Sequence, residues 1–141
     1  MTMEIEIIDH GAEAKGHYPT RAYANDAGAD VYMPYNWNFF PGVTEKVPLG
    51  FGLRIPHGYV GFVFPRSSLS ARGLTCELPP IDPDYTDQIH AVVTNNSRDA
   101  VYVNAGDRIG QLVVLPCATI TNFDVMNEGR RGAKGFGSTG R

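Results

Sequence analysis

The sequence predicts an all-β domain, on three observations. Glycine (16) and proline (10) are spread along the whole chain and interrupt it every few residues. Between these breaks lie short runs rich in β-branched and aromatic residues, at the spacing of a sandwich or barrel. No stretch of ten or more residues carries the 3.6-residue apolar period of a long helix.

The elements follow in chain order. Ile5–Ile8 is the first strand, and Val31–Met33 the second, stopped by Pro34. Pro41-Gly42 leads into Val43–Val47; Pro48 and Gly50 separate that run from Phe51–Ile55. The turn signal Pro56-His57-Gly58 introduces Tyr59–Phe64. Ser67–Arg72 is the one helical candidate, one or two turns long, with Ser67 or Ser68 as its cap. Ile89–Thr94 ends at Asn95-Asn96-Ser97, and Ala100–Val103 ends at Asn104-Ala105-Gly106-Asp107. Arg108–Leu115 and Thr119–Phe123 complete the strands. Trp37, with Tyr35, Phe39 and Phe40 around it, reads as core or subunit contact, and Cys76 and Cys117 read as buried small hydrophobes.

A chain of 141 residues is one domain's worth of core. With 43% hydrophobic and 19% charged residues it is neither disordered by composition nor a membrane protein, and no membrane partner is expected. MTMEIEIIDH shows no basic n-region before an apolar stretch, so no signal peptide is expected. Two cysteines make neither a disulfide framework nor a metal quartet, and an intracellular, cytoplasmic setting is the simplest reading. His10, His17, His57 and His90 show no ligand spacing. A net charge of −3 argues against a nucleic-acid partner. Yet five of the twelve basic residues follow position 107, a balance suited to a small anion. Residues 128–141 contain one aromatic and no apolar period, so a folded domain over 1–127 with a flexible glycine-rich arm over 128–141 is expected.

Several segments could carry chemistry. In the arm, glycine main chain can wrap phosphate oxygens while Arg131 and Lys134 add charge, Ser138 and Thr139 add hydroxyls, and Phe136 offers a stacking face. By composition alone it is equally a solvated tail, and it contains no Walker P-loop. Phe64-Pro65-Arg66-Ser67-Ser68 delivers a guanidinium and hydroxyls to a helix start, which is an anion cradle or simply an N-cap beside a surface arginine. Pro79-Pro80-Ile81-Asp82-Pro83-Asp84-Tyr85 is stiff, so Asp82 is held; a fixed carboxylate in a cleft can deprotonate water, though Asp-Pro pairs are also ordinary turn chemistry. Ala27-Gly28-Ala29-Asp30 and Gly106-Asp107-Arg108-Ile109-Gly110-Gln111 each place a carboxylate and a glycine at a strand entrance. Asp30 can hold magnesium through water and Gln111 can bind phosphate, or each is a turn with an internal Asp–Arg pair.

Together these segments are far more specific than any one. AGADVY at 27–32, PRSSLS at 65–70, IDPDY at 81–85, GDRIGQLVV at 106–114 and RGAKGFGSTG at 131–140 resemble, in order and spacing, the five motifs of the trimeric dUTPase family. The resemblance covers nearly the whole chain. It implies a jelly-roll-like or distorted β-barrel subunit of a homotrimer, with Mg2+-dependent hydrolysis of dUTP to dUMP and pyrophosphate between subunits. It implies that one chain gives Arg66, Ser67, Ser68 and Gln111 to the phosphates. A neighbour would give the hairpin with Cys76, Pro80, Ile81, Asp82, Tyr85 and His90, and the third its arm, with Arg131, Phe136, Gly137, Ser138 and Thr139. Asp82 would be the general base attacking through water at the α-phosphorus, Tyr85 would stack on the sugar, and Asp30 would lie in the water shell of the magnesium ion. A bacterial or viral origin fits such a chain.

The sequence also departs from that family's pattern. Thr86-Asp87-Gln88 stands where Arg-Gly-Glu is usual, and Lys134 where glycine is common. In the family, hairpin main chain reads uracil. Here Thr75-Cys76-Glu77-Leu78-Pro79-Pro80 looks shortened, and its two prolines have no N–H to donate. A pyrophosphatase of altered base preference, with Glu77 accepting from an exocyclic amine, is therefore an alternative. The chain also shares RSSL and an Ile-Asp-Pro turn with dCTP deaminases. Those continue with glycine and an aromatic, carry a glutamate near the position of Val92, and lack the FGSTG arm. A non-catalytic, regulatory nucleotide-binding role is the remaining alternative.

Overall fold

The chain is described by a computed structural model over residues 3–11, 17–77 and 79–125, with the side chain of Glu77 also outside the description. Alternation of apolar and polar residues at period two drives its strands. The cleanest case is His90–Asn95, where half-buried and buried residues alternate along the whole run. Among the described residues ten strands and one short helix result: β1 Glu6–Asp9, β2 Ala29–Tyr32, β3 Trp37–Phe39, β4 Thr44–Pro48, β5 Phe51–Arg54, β6 Tyr59–Pro65, α1 Ser67–Ala71, β7 Leu74–Glu77, β8 His90–Asn95, β9 Val101–Val103 and β10 Arg108–Pro116.

The strands pair antiparallel in four ladders: β1-β5, β2-β10-β6, β3-β9 and β4-β8-β7. Only β7 and β8 are neighbours in both sequence and space, so the fold is built almost wholly of long-range pairings, as in a jelly roll rather than a meander. The ladders enclose one core, whose fully buried members include Phe39, Phe51, Leu49, Leu53, Met33 and Val47. Among the described residues no helix is long and apolar enough to cross a membrane.

Asn95 is the polar keystone at one end. It is fully buried and saturated: Nδ2 donates to the carbonyls of Phe39 and Asp99, both at 2.8 Å, and Oδ1 accepts from the Ser97 N–H at 2.9 Å and the Ser97 hydroxyl at 2.7 Å. Asn95→Ala removes four hydrogen bonds and leaves the Phe39 carbonyl and the Ser97 N–H without them, while the Ser97 hydroxyl keeps the Asp99 carbonyl at 2.9 Å, so we expect a loss of about 3 kcal/mol. That corresponds to a fall in Tm of about 10 °C in thermal unfolding; a shift below about 2 °C would refute the keystone role.

Eight of the expected strands coincide with observed ones, and three sequence expectations are corrected. Residues 119–123 form no strand: the segment is exposed (Ile120 65%, Phe123 80%) and pairs with no strand among the described residues. Neither serine caps α1; the N-cap is Arg66 in extended conformation (φ −87°, ψ 140°), with no side-chain capping bond, because Pro65 carries β6 to the edge of the helix. Cys76 is buried as expected but Cys117 is exposed, lying beyond the end of β10. The aromatic group divides: Phe39 is in the core, Trp37 is half-buried with its ring 6.2 Å from that of Phe39, and Phe40 is exposed. Strands β3 and β7 are additions to the sequence reading.

Candidate active site

Two clefts collect the polar residues that sequence motifs single out. The first, of about 460 Å³, lies where β2, β10 and β6 meet the start of α1; it is lined by Arg66, Ser67, Gln111, Asp30, Arg108 and Asp26 among others. Register explains the convergence. Gln111 in β10 stands opposite Asp30 in β2 on one side and Phe64 in β6 on the other. Gly28 lets Gln111 in: a Cβ there would meet Gln111 Oε1 at 3.1 Å and its Cβ at 3.2 Å. Arg66 turns the chain into α1, anchored by buried Leu69, and its carbonyl takes the N–H groups of Leu69 and Ser70 at 3.2 and 3.1 Å. The Asp30 carboxylate is largely buried and faces the Arg108 guanidinium at 3.8 Å, a pair that joins two of the sequence motifs. Two guanidiniums beside two carboxylates suit a phosphate chain that carries a divalent cation.

The second cleft, of about 290 Å³, is lined by Lys46, Pro79, Pro80, Ile81, Asp82, Tyr85, Ile89, His90 and Val92. Its roof is the β7–β8 connection. Ile81 is buried and bridges Gly61 of β6 in both directions, donating its N–H at 2.8 Å and accepting at 3.1 Å. The next four residues make a tight turn in which the Tyr85 N–H reaches the Asp82 carbonyl at 3.1 Å. The Tyr85 hydroxyl donates to the Gln88 carbonyl at 2.8 Å, and His90 Nδ1 lies 3.1 Å from the same oxygen. Gln88 Oε1 in turn accepts from the Gly50 N–H at 2.8 Å, and His10 Nε2 lies 3.1 Å from the Thr86 carbonyl. Gly52 makes this seating possible, because a Cβ there would strike the Thr86 and Asp87 carbonyl oxygens at 2.6 and 2.7 Å. The loop is thus strapped to the β1-β5 ladder while the Asp82 side chain stays exposed to the cleft.

Arg66, Ser67, Gln111 and Asp30 therefore share one cleft, and Pro80, Ile81, Asp82, Tyr85 and His90 share the other; among the described residues none lines both. Ser68 is exposed on α1 next to Ser67, outside the cleft lining, and the Cys76 side chain belongs to the core. Arg131, Phe136, Gly137, Ser138 and Thr139 lie outside the described residues, as do the arm boundary at 128, Leu78 and the Glu77 side chain. Lys46 and Asp26 are lining residues that sequence reasoning missed. Lys46 stands opposite Val92 across β4 and β8, a relation that only the register reveals.

Comparison with known proteins accords with this geometry. The dUTPase family profile matches residues 14–140. The deoxyuridine 5'-triphosphate nucleotidohydrolase of Tropheryma whipplei (strain Twist) is 35% identical over 145 aligned residues, covering 99% of this chain and 97% of the relative. Among solved structures, a Staphylococcus bacteriophage 80alpha dUTPase variant with dUpNHpp superposes with a TM-score of 0.81 at 20% identity, over 89% of this chain and 98% of that one. A variant dUTPase from phage phi11 of S. aureus, described for its coordination of a structural Mg(II) ion, gives 0.78 at 21% identity, over 89% and 98%. At that identity the structures establish the fold, and the fold is the jelly-roll-like, distorted β-barrel expected. A profile match across almost the entire sequence, on a fold that gathers the motif residues into two clefts, leaves one assignment: the chain belongs to the dUTPase family.

Proposed function

We propose that this chain is a dUTP diphosphatase acting as a homotrimer, hydrolysing dUTP to dUMP and pyrophosphate at sites built from more than one subunit. One observation carries the reading: the phosphate-type groups and the hairpin with Asp82 occupy separate clefts of one chain, and each cleft lacks what the other holds. Assembly is supported by apolar surface: Phe62 and Phe64 stack at 5.7 Å on the β6 face, Phe64 is 47% exposed, and Leu115, at the end of β10 beside β6, is exposed with Ile120 and Phe123 after it. Val92, not a glutamate, stands on β8 in the hairpin cleft, which favours phosphoanhydride hydrolysis over deamination.

In this reading Arg66, Ser67, Ser68 and Gln111 hold the phosphates. Asp82 takes a proton from water, whose oxygen attacks the α-phosphorus; the bridging P–O bond to the β-phosphate breaks and pyrophosphate leaves with the electron pair. Tyr85 packs on the sugar, Pro80, Ile81 and His90 surround the base from the hairpin and β8, and the arm supplies Arg131, Phe136, Gly137, Ser138 and Thr139. Pre-positioning the triphosphate between these groups supplies most of the rate enhancement.

The donor set fits magnesium. No cluster of three His, Cys, Asp or Glu ligands occurs among the described residues, and magnesium needs none, since it retains waters and takes one or two carboxylates with substrate phosphates. Asp30 would hold it through water, with Asp26 in the same cleft. When bound, the ion neutralises charge on the triphosphate.

Pyrophosphate release in the presence of magnesium, run in parallel on dUTP, dCTP, TTP, dATP and UTP, tests the proposal. Turnover of dUTP in clear excess over the others is the expected result. Preference for another deoxynucleotide would mean a re-aimed base site, and absence of turnover would favour the regulatory role.

A further inference from the structure

We infer that Gln88 is a positioning residue for the reaction: its side chain ties the loop carrying Asp82 and Tyr85 to the β4–β5 turn, and His10 ties the same loop at Thr86. The inference rests on the dUTP reading above and deepens it by assigning what holds Asp82 and Tyr85 in place. Gln88, Thr86 and His10 line neither cleft, so they act on the reaction through the loop rather than on a ligand.

Two main-chain anchors bound this loop. On one side Ile81 exchanges both of its main-chain bonds with Gly61. On the other, the Ile89 N–H donates to the Phe51 carbonyl and the Ile89 carbonyl accepts from the Leu49 N–H, both at 2.9 Å. Residues 82–88 run between them. Most polar contacts of this stretch are internal or to its immediate neighbour. The Tyr85 N–H meets the Asp82 carbonyl at 3.1 Å, the Tyr85 hydroxyl the Gln88 carbonyl at 2.8 Å, and the Gln88 N–H the Asp87 carboxylate at 2.8 Å. His90 Nδ1, two residues on, lies 3.1 Å from the Gln88 carbonyl. Such bonds fix the shape of a loop but not its place on the domain. Asp84 faces His57 at 3.4 Å, yet both side chains are almost wholly exposed, and a pair of that kind restrains little.

Two side-chain contacts fix the place. Gln88 Oε1 accepts from the Gly50 N–H at 2.8 Å, and His10 Nε2 lies 3.1 Å from the Thr86 carbonyl. A carbonyl only accepts, so Nε2 carries the hydrogen. The His10 main-chain N–H donates to the Gly50 carbonyl at 2.8 Å. Gly50, His10, Thr86 and Gln88 thus close a ring of hydrogen bonds across three segments of the chain. Gly50 is buried at φ +83°, a turn conformation suited to glycine, so the N–H that Gln88 takes is fixed in direction. From Gln88 the route to the chemistry is short. Its own carbonyl holds the Tyr85 hydroxyl, and the Tyr85 N–H closes the turn on Asp82. A displacement of Gln88 therefore reaches the stacking ring and the base together. Misplacement of reacting groups by a fraction of a bond length is costly even when every group is still present.

The test is a single-turnover measurement on the full-length chain with magnesium, enzyme in excess over dUTP, for the wild type, Gln88→Met, Gln88→Glu and His10→Leu, alongside oligomeric mass. At saturating enzyme the rate constant reports the chemical step and is indifferent to the fraction of protein that is folded. Gln88→Met keeps the length of the side chain and removes the acceptor. It is expected to lower this rate constant about 10- to 100-fold, while the enzyme concentration for half-saturation stays within about 3-fold of wild type. Gln88→Glu retains an acceptor oxygen and is expected to keep the rate constant within about 3-fold. His10→Leu is expected to lower it about 5-fold. A folded Gln88→Met protein with the wild-type rate constant overturns the inference while leaving dUTP hydrolysis standing, and so does an equal loss in Gln88→Glu. If Gln88→Met fails to fold, a wild-type rate constant in His10→Leu overturns it instead. Absence of dUTP turnover by the wild type overturns the proposed function, and this inference with it.

Discussion

Asp82→Asn is expected to lower kcat for dUTP by about 10³-fold while leaving oligomeric mass unchanged and dUMP affinity within about 3-fold of wild type. The substitution preserves shape and removes the ability to take a proton. The fold does not depend on the carboxylate: the turn is closed by the Asp82 main-chain carbonyl, and Ile81 beside it is locked to Gly61 by two main-chain bonds. The side chain is exposed and lines the cleft, so nothing in the core is disturbed. Single-turnover measurements separate the chemical step from binding. Turnover within about 10-fold of wild type would remove Asp82 as the base. The same variant also isolates any regulatory role, since it would retain nucleotide binding without hydrolysis.

How much of this was legible in the sequence depends on the range of the determining interactions. The motif residues are legible because each set is contiguous: Arg66 with Ser67, or Asp82 with Tyr85, sits within one turn, and local chemistry declares it. Strands with clean alternation, such as β8, are legible for the same reason. β3 and β7 are only three and four residues long, and each is defined by its partner, β9 or β8, more than by its own composition. Residues 119–123 show the converse: Thr119, Ile120, Thr121 and Phe123 are strand formers by type, yet among the described residues the segment joins no ladder. Lys46 escaped because its place in the cleft follows from the β4-β8 register, 46 residues from its partner Val92 in sequence. Ser67 and Ser68 failed as caps for a geometric reason, since Pro65 ends β6 one residue before Arg66 and the helix begins on the serines themselves.

Two inactive variants, mixed, are expected to regain activity. Arg66 lines the cleft at the start of α1 and Asp82 lines the hairpin cleft, and no described residue lines both. Arg66→Ala alone is expected to lower kcat/KM for dUTP by about 10²-fold or more, because a charge-assisted phosphate contact is lost. If each site draws Arg66 from one subunit and Asp82 from another, an Asp82→Asn chain still supplies a sound Arg66, and an Arg66→Ala chain still supplies a sound Asp82. Equal random mixing in a closed trimer then makes about one quarter of the sites complete. The experiment refolds the two variants together, or co-expresses them with different tags, and measures pyrophosphate release per site. Were Arg66 and Asp82 to serve from the same chain, every chain in the mixture would lack one of them and activity would stay at the level of the parents. Recovery therefore reports the subunit origin of the two groups directly, independently of how strongly either variant is impaired.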